Sequence, residues 1–255
     1  MNICITGGAG FIGSNAAAYF LLKGAAVTIF DNLSRKGAIE NIEWLKTLGG
    51  NFHVIVGDIR SVGELQKMDD AFRSANLILH LAAQVAVTTS VLNPRLDFET
   101  NALGTFNILE LMRSVKSNAK LIYSSTNKVY GGMEDVPIIE QKTRYAYKDL
   151  SLGISESRGL DFHSPYGCSK GSADQYVHDY SRIYGLDTVV MRQSCIYGPR
   201  QFGVEDQGWI AWFIIALTIG TQLSIYGDGK QVRDLLSVDD LIRSYDMAYE
   251  AGEKT

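Results

Sequence analysis

The stretch Thr6-Gly7-Gly8-Ala9-Gly10-Phe11-Ile12-Gly13 decides the fold. It follows Asn2–Thr6, a β-branched run that reads as a strand, and it opens a helical pattern over residues 11–23 that Gly24 closes. Glycines at 7, 10 and 13 allow a tight turn and a close backbone approach. The positive helix N-terminus behind them suits a pyrophosphate. Spacing alone is weak in a chain with 25 glycines, but the context strengthens it. A second strand, Ala26–Asp31, ends in an acid whose carboxylate can accept from the hydroxyls of an adenosine ribose. A bound dinucleotide explains this pattern better than a glycine-rich turn does. Asp31 favours NAD over NADP because it repels a 2′-phosphate; Arg35 and Lys36, close behind, pull the other way.

Working outward, strand-like runs at Phe52–Val56, 77–81, 121–123 and 188–191 alternate with helical patterns. Residues 95–113 place Phe98, Ala102, Leu109 and Met112 on one side of a single helix. Ser164–Tyr184 has Ser164 as expected N-cap, Pro165 at its first position and Gly185 after its end. Such alternation specifies an α/β fold with a doubly wound parallel Rossmann sheet. The dinucleotide-binding domain is expected over residues 1–192. A smaller C-terminal substrate lobe follows over 193–255, its last helix returning to the first domain. Residues 131–163 form an unusually long polar connection, a length that is usually functional or disordered.

Composition narrows the classes. The chain has 255 residues, 46% apolar and 20% charged, with 24 basic against 28 acidic side chains and a net charge of −4. That suits one globular unit with a smaller lobe and argues against both disorder and a nucleic-acid footprint. Cys4, Cys168 and Cys195 fit neither a disulfide framework nor a metal-ligand spacing, so a reducing compartment and no metal are expected. No signal peptide is legible at the N-terminus. The longest apolar run, Trp209–Ile219, is broken only by Thr218 and is too short to cross a bilayer, which takes about 20 residues. It is expected to be a buried helix, and the protein to be soluble and cytoplasmic, with no membrane partner.

Three further stretches carry chemistry. In Gly57-Asp58-Ile59-Arg60, Asp58 either accepts from an adenine amino group or caps the next helix. In His80-Leu81-Ala82-Ala83-Gln84, small residues at a strand end let a cofactor pack closely, and His80 reads as structural rather than catalytic. Tyr166-Gly167-Cys168-Ser169-Lys170 puts a tyrosine and a lysine on one helix face. A nearby ammonium and a positive nicotinamide would favour the phenolate. Lowering a phenol from about 10 to near 7 corresponds to about 4 kcal/mol. Thr126, closing Ser124-Ser125-Thr126, could hold a substrate hydroxyl against that phenolate, or serve only as a turn hydroxyl.

With these residues placed, the chain resembles the extended short-chain dehydrogenase/reductase superfamily, whose members modify nucleotide sugars, over essentially its whole length. The stretches 123–131, 160–171 and Asp206-Gln207-Gly208-Trp209 are similar to its CDP-sugar 2-epimerase branch. The resemblance implies catalysis by Thr126, Tyr166 and Lys170 on tightly held NAD. It implies cofactor contacts from Gly7, Gly10, Phe11, Ile12, Gly13, Asp31, Asn32, Ser34, Arg35, Asp58 and Ile59. Leu81, Ala82, Ala83, Gln84, Asn101, Ser124, Ser125, Tyr166 and Lys170 complete that set.

The implied substrate is a nucleotide-diphosphate sugar met by Thr126, Asn127, Gln201, Gln207 and Arg233, with Trp209 either lining the pocket or packing in the core. Arg233 would bind the diphosphate, or else pair with Asp234. Related 4,6-dehydratases read Thr-Asp-Glu where this chain has Thr126-Asn127-Lys128, so the acid/base pair for dehydration is missing and an epimerase is implied. A UDP-sugar 4-epimerase using the same residues is the alternative; a non-catalytic dinucleotide sensor would be expected to lose Tyr166 or Lys170. Cys195 stands where relatives often carry an asparagine. Relatives continue past Thr255, so the substrate lobe reads as incomplete. Pairing through the helices bearing Asn101 and Tyr166 into a homo-oligomer, a dimer or tetramer, is also implied.

Overall fold

The computed structural model describes residues 1–205 and 207–251. Asp206 and residues 252–255, which belong to stretches singled out above, lie outside the described residues.

The chain runs β1 (Asn2–Thr6), α1 (Phe11–Leu22), β2 (Ala26–Asp31), α2 (Ala38–Leu48), β3 (Phe52–Val56), the short α3 (Val62–Leu65) and α4 (Asp69–Ser74), and β4 (Leu77–His80). Next come α5 (Val87–Leu92), α6 (Pro94–Phe98), a π turn (Glu99–Leu103), α7 (Gly104–Ser114) and β5 (Lys120–Thr126). The long connection holds a hairpin, β6 (Ile138–Glu140) with β7 (Tyr145–Tyr147). Then follow α8 (Ser164–Tyr184), β8 (Thr188–Gln193), β9 (Ile196–Tyr197), α9 (Trp209–Ile219), β10 (Leu236–Ser237) and α10 (Val238–Glu250).

Six strands form one parallel sheet in the order β3-β2-β1-β4-β5-β8, as the alternation predicts. In β1, Ile5 sits opposite Ile29 and Leu79. Its side chains alternate between two buried layers. Ile3 and Ile5 join α1, α2 and α10, while Cys4 joins Phe72, Met112 and Val177 from α4, α7 and α8. Burial on both faces explains why the strands read as continuous apolar runs. It also pushes the Cys4 thiol up to about 12, which leaves it unreactive. The strand order reverses between β1 and β4, and a crevice opens at their carboxyl ends.

After β8, two short strands, β9 and β10, pair in parallel beside the main sheet. The helix α10 lies on α1: Val238, Leu241, Ile242 and Tyr245 enter the same core as Phe20 and Leu21. Asp246 accepts from Tyr19 Oη at 2.7 Å and from Lys23 Nζ at 2.6 Å.

Two expectations are corrected. Residues 95–113 are not one helix. The π turn lengthens one turn by a residue and shifts the face, so Phe98 is 56% exposed while Ala102, Leu109 and Met112 are buried. The apolar helix α9 is not buried either. Only Ala216 is fully covered, and Ile214, Leu217 and Ile219 lie in the open. The helix is apolar all round, whereas the described residues pack on one side of it. No described helix is long and apolar enough to cross a membrane.

Candidate active site

The crevice at the β1/β4 switch is a cavity of about 470 Å³. Its floor is the glycine turn. Gly7 has φ +71°, and a Cβ there would lie 2.6 Å from Ala82 N; a Cβ on Gly13 would overlap the Gly7 carbonyl oxygen. Only glycine permits this approach of turn, helix and β4 loop. Asp31 reaches in from the end of β2. Its Oδ2 accepts from Ala9 N at 3.0 Å and its Oδ1 from Leu33 N at 2.8 Å. Burial raises this carboxyl and the two N–H bonds oppose the rise. Each oxygen keeps a lone pair for a hydroxyl donor.

Asn32 and Ser34 brace each other at 2.7 Å, and Arg35 donates to Gln207 Oε1 at 2.6 Å from across the opening. Asp58 is gripped by Arg60, through Nε at 3.0 Å and Nη2 at 2.7 Å, and that bonding takes its carboxyl down to about 2. It does not cap the next helix: Ser61 Oγ does, accepting from Glu64 N. The remaining wall includes Phe11, Ile12, Ile59, Leu81, Ala82, Ala83 and Gln84, whose buried Oε1 has no partner among the described residues. A glycine floor, a carboxylate with spare acceptors and a small-residue wall together fit a dinucleotide.

The second cluster stands where β5 meets the start of α8. Tyr166 lies in the first turn, its backbone N–H bonded to the buried Ser90 Oγ at 3.2 Å. Its phenol lies close enough to the Thr126 side chain for that group to favour the phenolate. Lys128 N donates to Thr126 Oγ1 at 3.3 Å and fixes that hydroxyl. Lys170 is buried one turn on; its Nζ donates to the Ser124 carbonyl at 2.5 Å and sits 4.3 Å above the Tyr123 ring. Burial pulls Lys170 down to about 7, against the charges of Asp174 and Asp97.

The expected lowering of the Tyr166 phenol is not supplied by the protein alone. Burial pushes it up, and only the Thr126 side chain opposes that. His80 is a brace, with Nδ1 on Thr6 Oγ1 at 2.6 Å and Nε2 on Thr105 Oγ1 at 2.9 Å, and burial takes it down to about 3.

Sixteen sequence-derived positions thus line the crevice: Gly7, Gly10, Phe11, Ile12, Gly13, Asp31, Asn32, Ser34, Arg35, Asp58, Ile59, Leu81, Ala82, Ala83, Gln84 and Gln207. Others do not. Asn101 is buried behind the wall, its amide bonded to Gln84, Asp97 and Ser169. Ser125 turns into a brace with Asp174 at 2.6 Å, and Ser124 accepts from Gln193 and Lys170. Thr126, Tyr166 and Lys170 flank the crevice, joined to its wall through Gln84–Asn101–Ser169. Asn127 donates to Ser194 Oγ at 3.1 Å.

Gln201 faces a separate apolar groove against α9, with Tyr197 and Ile214, and Trp209 stacks edge-on against Phe213 rather than entering a core. Arg233 reaches neither cavity; its Nη1 donates to the Val232 carbonyl at 2.9 Å rather than to Asp234. Sequence reasoning missed Phe30, Thr89, Leu96 and Thr100 in the wall. Thr89, Leu96 and Thr100 arrive through the approach of α5, α6 and the π turn, for which no local pattern exists, while Phe30 stands next to Asp31 at the end of β2. Arg60 was within reach, standing two places after Asp58.

Comparison with known proteins agrees with the motif order. Residues 4–255 match the family described as GDP-mannose 4,6 dehydratase. The chain is 51% identical over 250 residues to the CDP-paratose 2-epimerase of Salmonella typhi, which covers 96% of this chain and 73% of that enzyme. It superposes on the crystal structure of Thermus thermophilus UDP-glucose 4-epimerase in complex with NAD with a TM-score of 0.79 at 32% identity, over 98% of this chain and 74% of that one. It superposes on the dTDP-glucose 4,6-dehydratase of Streptomyces venezuelae, solved with NAD bound, with a TM-score of 0.83 at 29% identity, over 100% and 73%. The chain belongs to the GDP-mannose 4,6-dehydratase family, within the superfamily that the motifs resemble.

Proposed function

We propose that this family member is an NAD-dependent nucleotide-sugar epimerase that interconverts CDP-paratose and CDP-tyvelose at C2. One observation carries the reading: Thr126, Tyr166 and Lys170 converge beside a dinucleotide-shaped crevice, while Asn127 and Lys128 offer no carboxyl pair for dehydration. The identity to a CDP-paratose 2-epimerase supports the choice of sugar and carbon.

The glycine turn, Asp31 and the Leu81–Gln84 wall would hold NAD. When bound, NAD supplies a hydride acceptor that afterwards serves as the donor, unchanged over a turnover. Tyr166 Oη takes the proton of the sugar hydroxyl and gives it back to the same oxygen once the ketone has turned its other face to the cofactor. Thr126 Oγ1 holds that oxygen against the phenol. Lys170 sets the local field and, through the Ser124 carbonyl, ties α8 to the tip of β5. Gln207 stands at the opening for the sugar nucleotide, with Asn127 exposed just past Thr126 and Gln201 in the groove beyond.

We also place the enzyme in the cytoplasm, in the supply of a sugar for lipopolysaccharide O antigen. A homo-oligomer fits the apolar side chains exposed along α6 to α8, among them Phe98, Tyr176 and Ile183.

NMR of CDP-paratose or CDP-tyvelose with the protein in D2O tests this. Interconversion without deuterium at C2 is the expected result. Deuterium at C2 would mean deprotonation and overturn the mechanism. Turnover of a UDP-hexose alone would replace the proposed 2-epimerase with a 4-epimerase.

A further inference from the structure

We propose that the buried pair of Asp174 and Arg192 positions Thr126: it grips the chain on both sides of that residue, through Ser125 and Tyr130, and so sets where the Thr126 hydroxyl stands before Tyr166. The proposal rests on the epimerase reading and adds positioning residues to it.

Asp174 lies on α8, one turn past Lys170, and is completely covered. Its carboxylate is fully used. Oδ2 accepts from Ser125 Oγ at 2.6 Å and from Arg192 Nε at 3.0 Å. Oδ1 accepts from Arg192 Nη2 at 2.9 Å and from Gln175 Nε2 at 3.0 Å. Arg192 of β8 stands opposite Ser125 of β5 in the parallel register, so both side chains leave the sheet on the face that α8 covers. The third guanidinium nitrogen, Nη1, donates to Tyr130 Oη at 3.0 Å, and the guanidinium carbon lies 5.2 Å from the centre of the Tyr130 ring.

Ser125 and Tyr130 bracket a short piece of chain. Thr126 ends β5, and the 3₁₀ turn Asn127–Tyr130 opens on it, with Lys128 N donating to Thr126 Oγ1 at 3.3 Å. The register between β5 and β8 stops at Thr126 and Gln193. Past that point the ladder no longer holds the chain, and the Tyr130 hydroxyl ties it back to β8. One helix therefore carries Tyr166, Lys170 and Asp174, and Asp174 with Arg192 holds the segment that carries Thr126. Helix and segment are fixed to each other by bonds of defined direction.

Stability alone is a weak reason for such a pair. Both charges lose their water on burial, and apolar side chains of similar size often serve as well. Apolar side chains cannot orient two hydroxyls at the two ends of residues 125–130; a carboxylate and a planar guanidinium can. A displacement of about 1 Å at a reacting centre can cost about a hundredfold in rate, so fixing Thr126 matters to the chemistry.

The test is a double-mutant cycle read in kcat with NAD bound. Ser125→Ala and Tyr130→Phe each delete one hydroxyl arm and leave the Asp174–Arg192 pair in place. Each is expected to lower kcat about tenfold with NAD affinity unchanged. Thr126→Val removes the positioned hydroxyl and is expected to lower kcat about a hundredfold. In that background the two arm variants are expected to cost nothing further. An unchanged kcat in both arm variants overturns the proposal. So does a loss of the same factor with and without the Thr126 hydroxyl, which would make the pair merely structural. If Ser125→Ala does not fold, Tyr130→Phe decides by the same cycle; failure of both to fold overturns the proposal.

Crystal structures of the NAD complexes of wild type and the arm variants need no sugar. In each folded arm variant the Thr126 hydroxyl is expected to move away from Tyr166 Oη while Asp174 stays on Arg192. An unmoved Thr126 overturns the proposal whatever the substrate. A displaced Thr126 in a protein whose wild type epimerises no sugar nucleotide would support the positioning role and sink the epimerase reading.

Discussion

The crevice formed by β1 to β4 and the segment after β8 meet across the Arg35–Gln207 hydrogen bond, yet they are held by different contacts. On the first side the geometry is made by main chain: Gly7 against Ala82, Gly13 against Gly7, and Asp31 on the Ala9 and Leu33 N–H groups. On the other side single side chains reach back over long sequence distances. Arg200 sits 4.4 Å over the Trp44 ring, Phe202 packs on Gly37, and the Pro199 carbonyl accepts from Asn15 at 3.0 Å. A main-chain site concentrates its stability in a few irreplaceable positions. A side-chain strap spreads it over many small terms.

The largest effect should fall on the reaction and leave the crevice intact. Tyr166→Phe is expected to lower kcat by about a thousandfold or more while NAD stays bound. Equilibrium dialysis with NAD checks the second half; loss of the cofactor would show that the two clusters are not separable as described.

Next comes the brace beneath the crevice. His80 is neutral in the fold, with its proton affinity taken down to about 3. The unfolded chain therefore binds the extra proton between pH 6.5 and 3, and stability falls as pH drops through that window. The full span corresponds to about 5 kcal/mol. Urea unfolding from pH 7 to 4 should show a steeper acid loss in the wild type than in His80→Gln.

Gly13→Ala should cost about 3 kcal/mol, because its Cβ would have to displace the Gly7 carbonyl. Thermal unfolding reads the loss, and NAD titration should show weakened binding. A silent Gly13→Ala would break the contrast between the two sides.

The smallest effect belongs to the strap. Arg200→Ala removes one ring contact worth about 0.5–1 kcal/mol. Global melting should barely move, while limited proteolysis within residues 200–208 should speed up. A large drop in melting temperature would mean that the strap is part of the core.

Legibility followed the same division. The glycine turn, Asp31, Asp58 and the Ala82-Ala83-Gln84 wall could be read because each depends on a strand end and a short spacing. The pair Tyr166 and Lys170 could be read because one helical turn brings them to the same face. Asn101, Ser125 and Arg233 were assigned by resemblance, and the structure puts their side chains elsewhere: two into buried braces and one on a surface turn. The exposed side of α9 and the π turn that holds Asn101 had no signal, since an all-apolar helix does not say which face will be covered.

By itself the sequence determined the parallel sheet, the glycine turn that floors the crevice, and the residue types that handle a dinucleotide and a sugar hydroxyl. These rest on local backbone geometry and on periods of two and 3.6 residues. Only the tertiary structure decided which charges share the interior. Asp97, Lys170, Asp174 and Arg192 come from three separate elements. That they share one interior is a property of packing, because a charge is costly only where the fold removes its water.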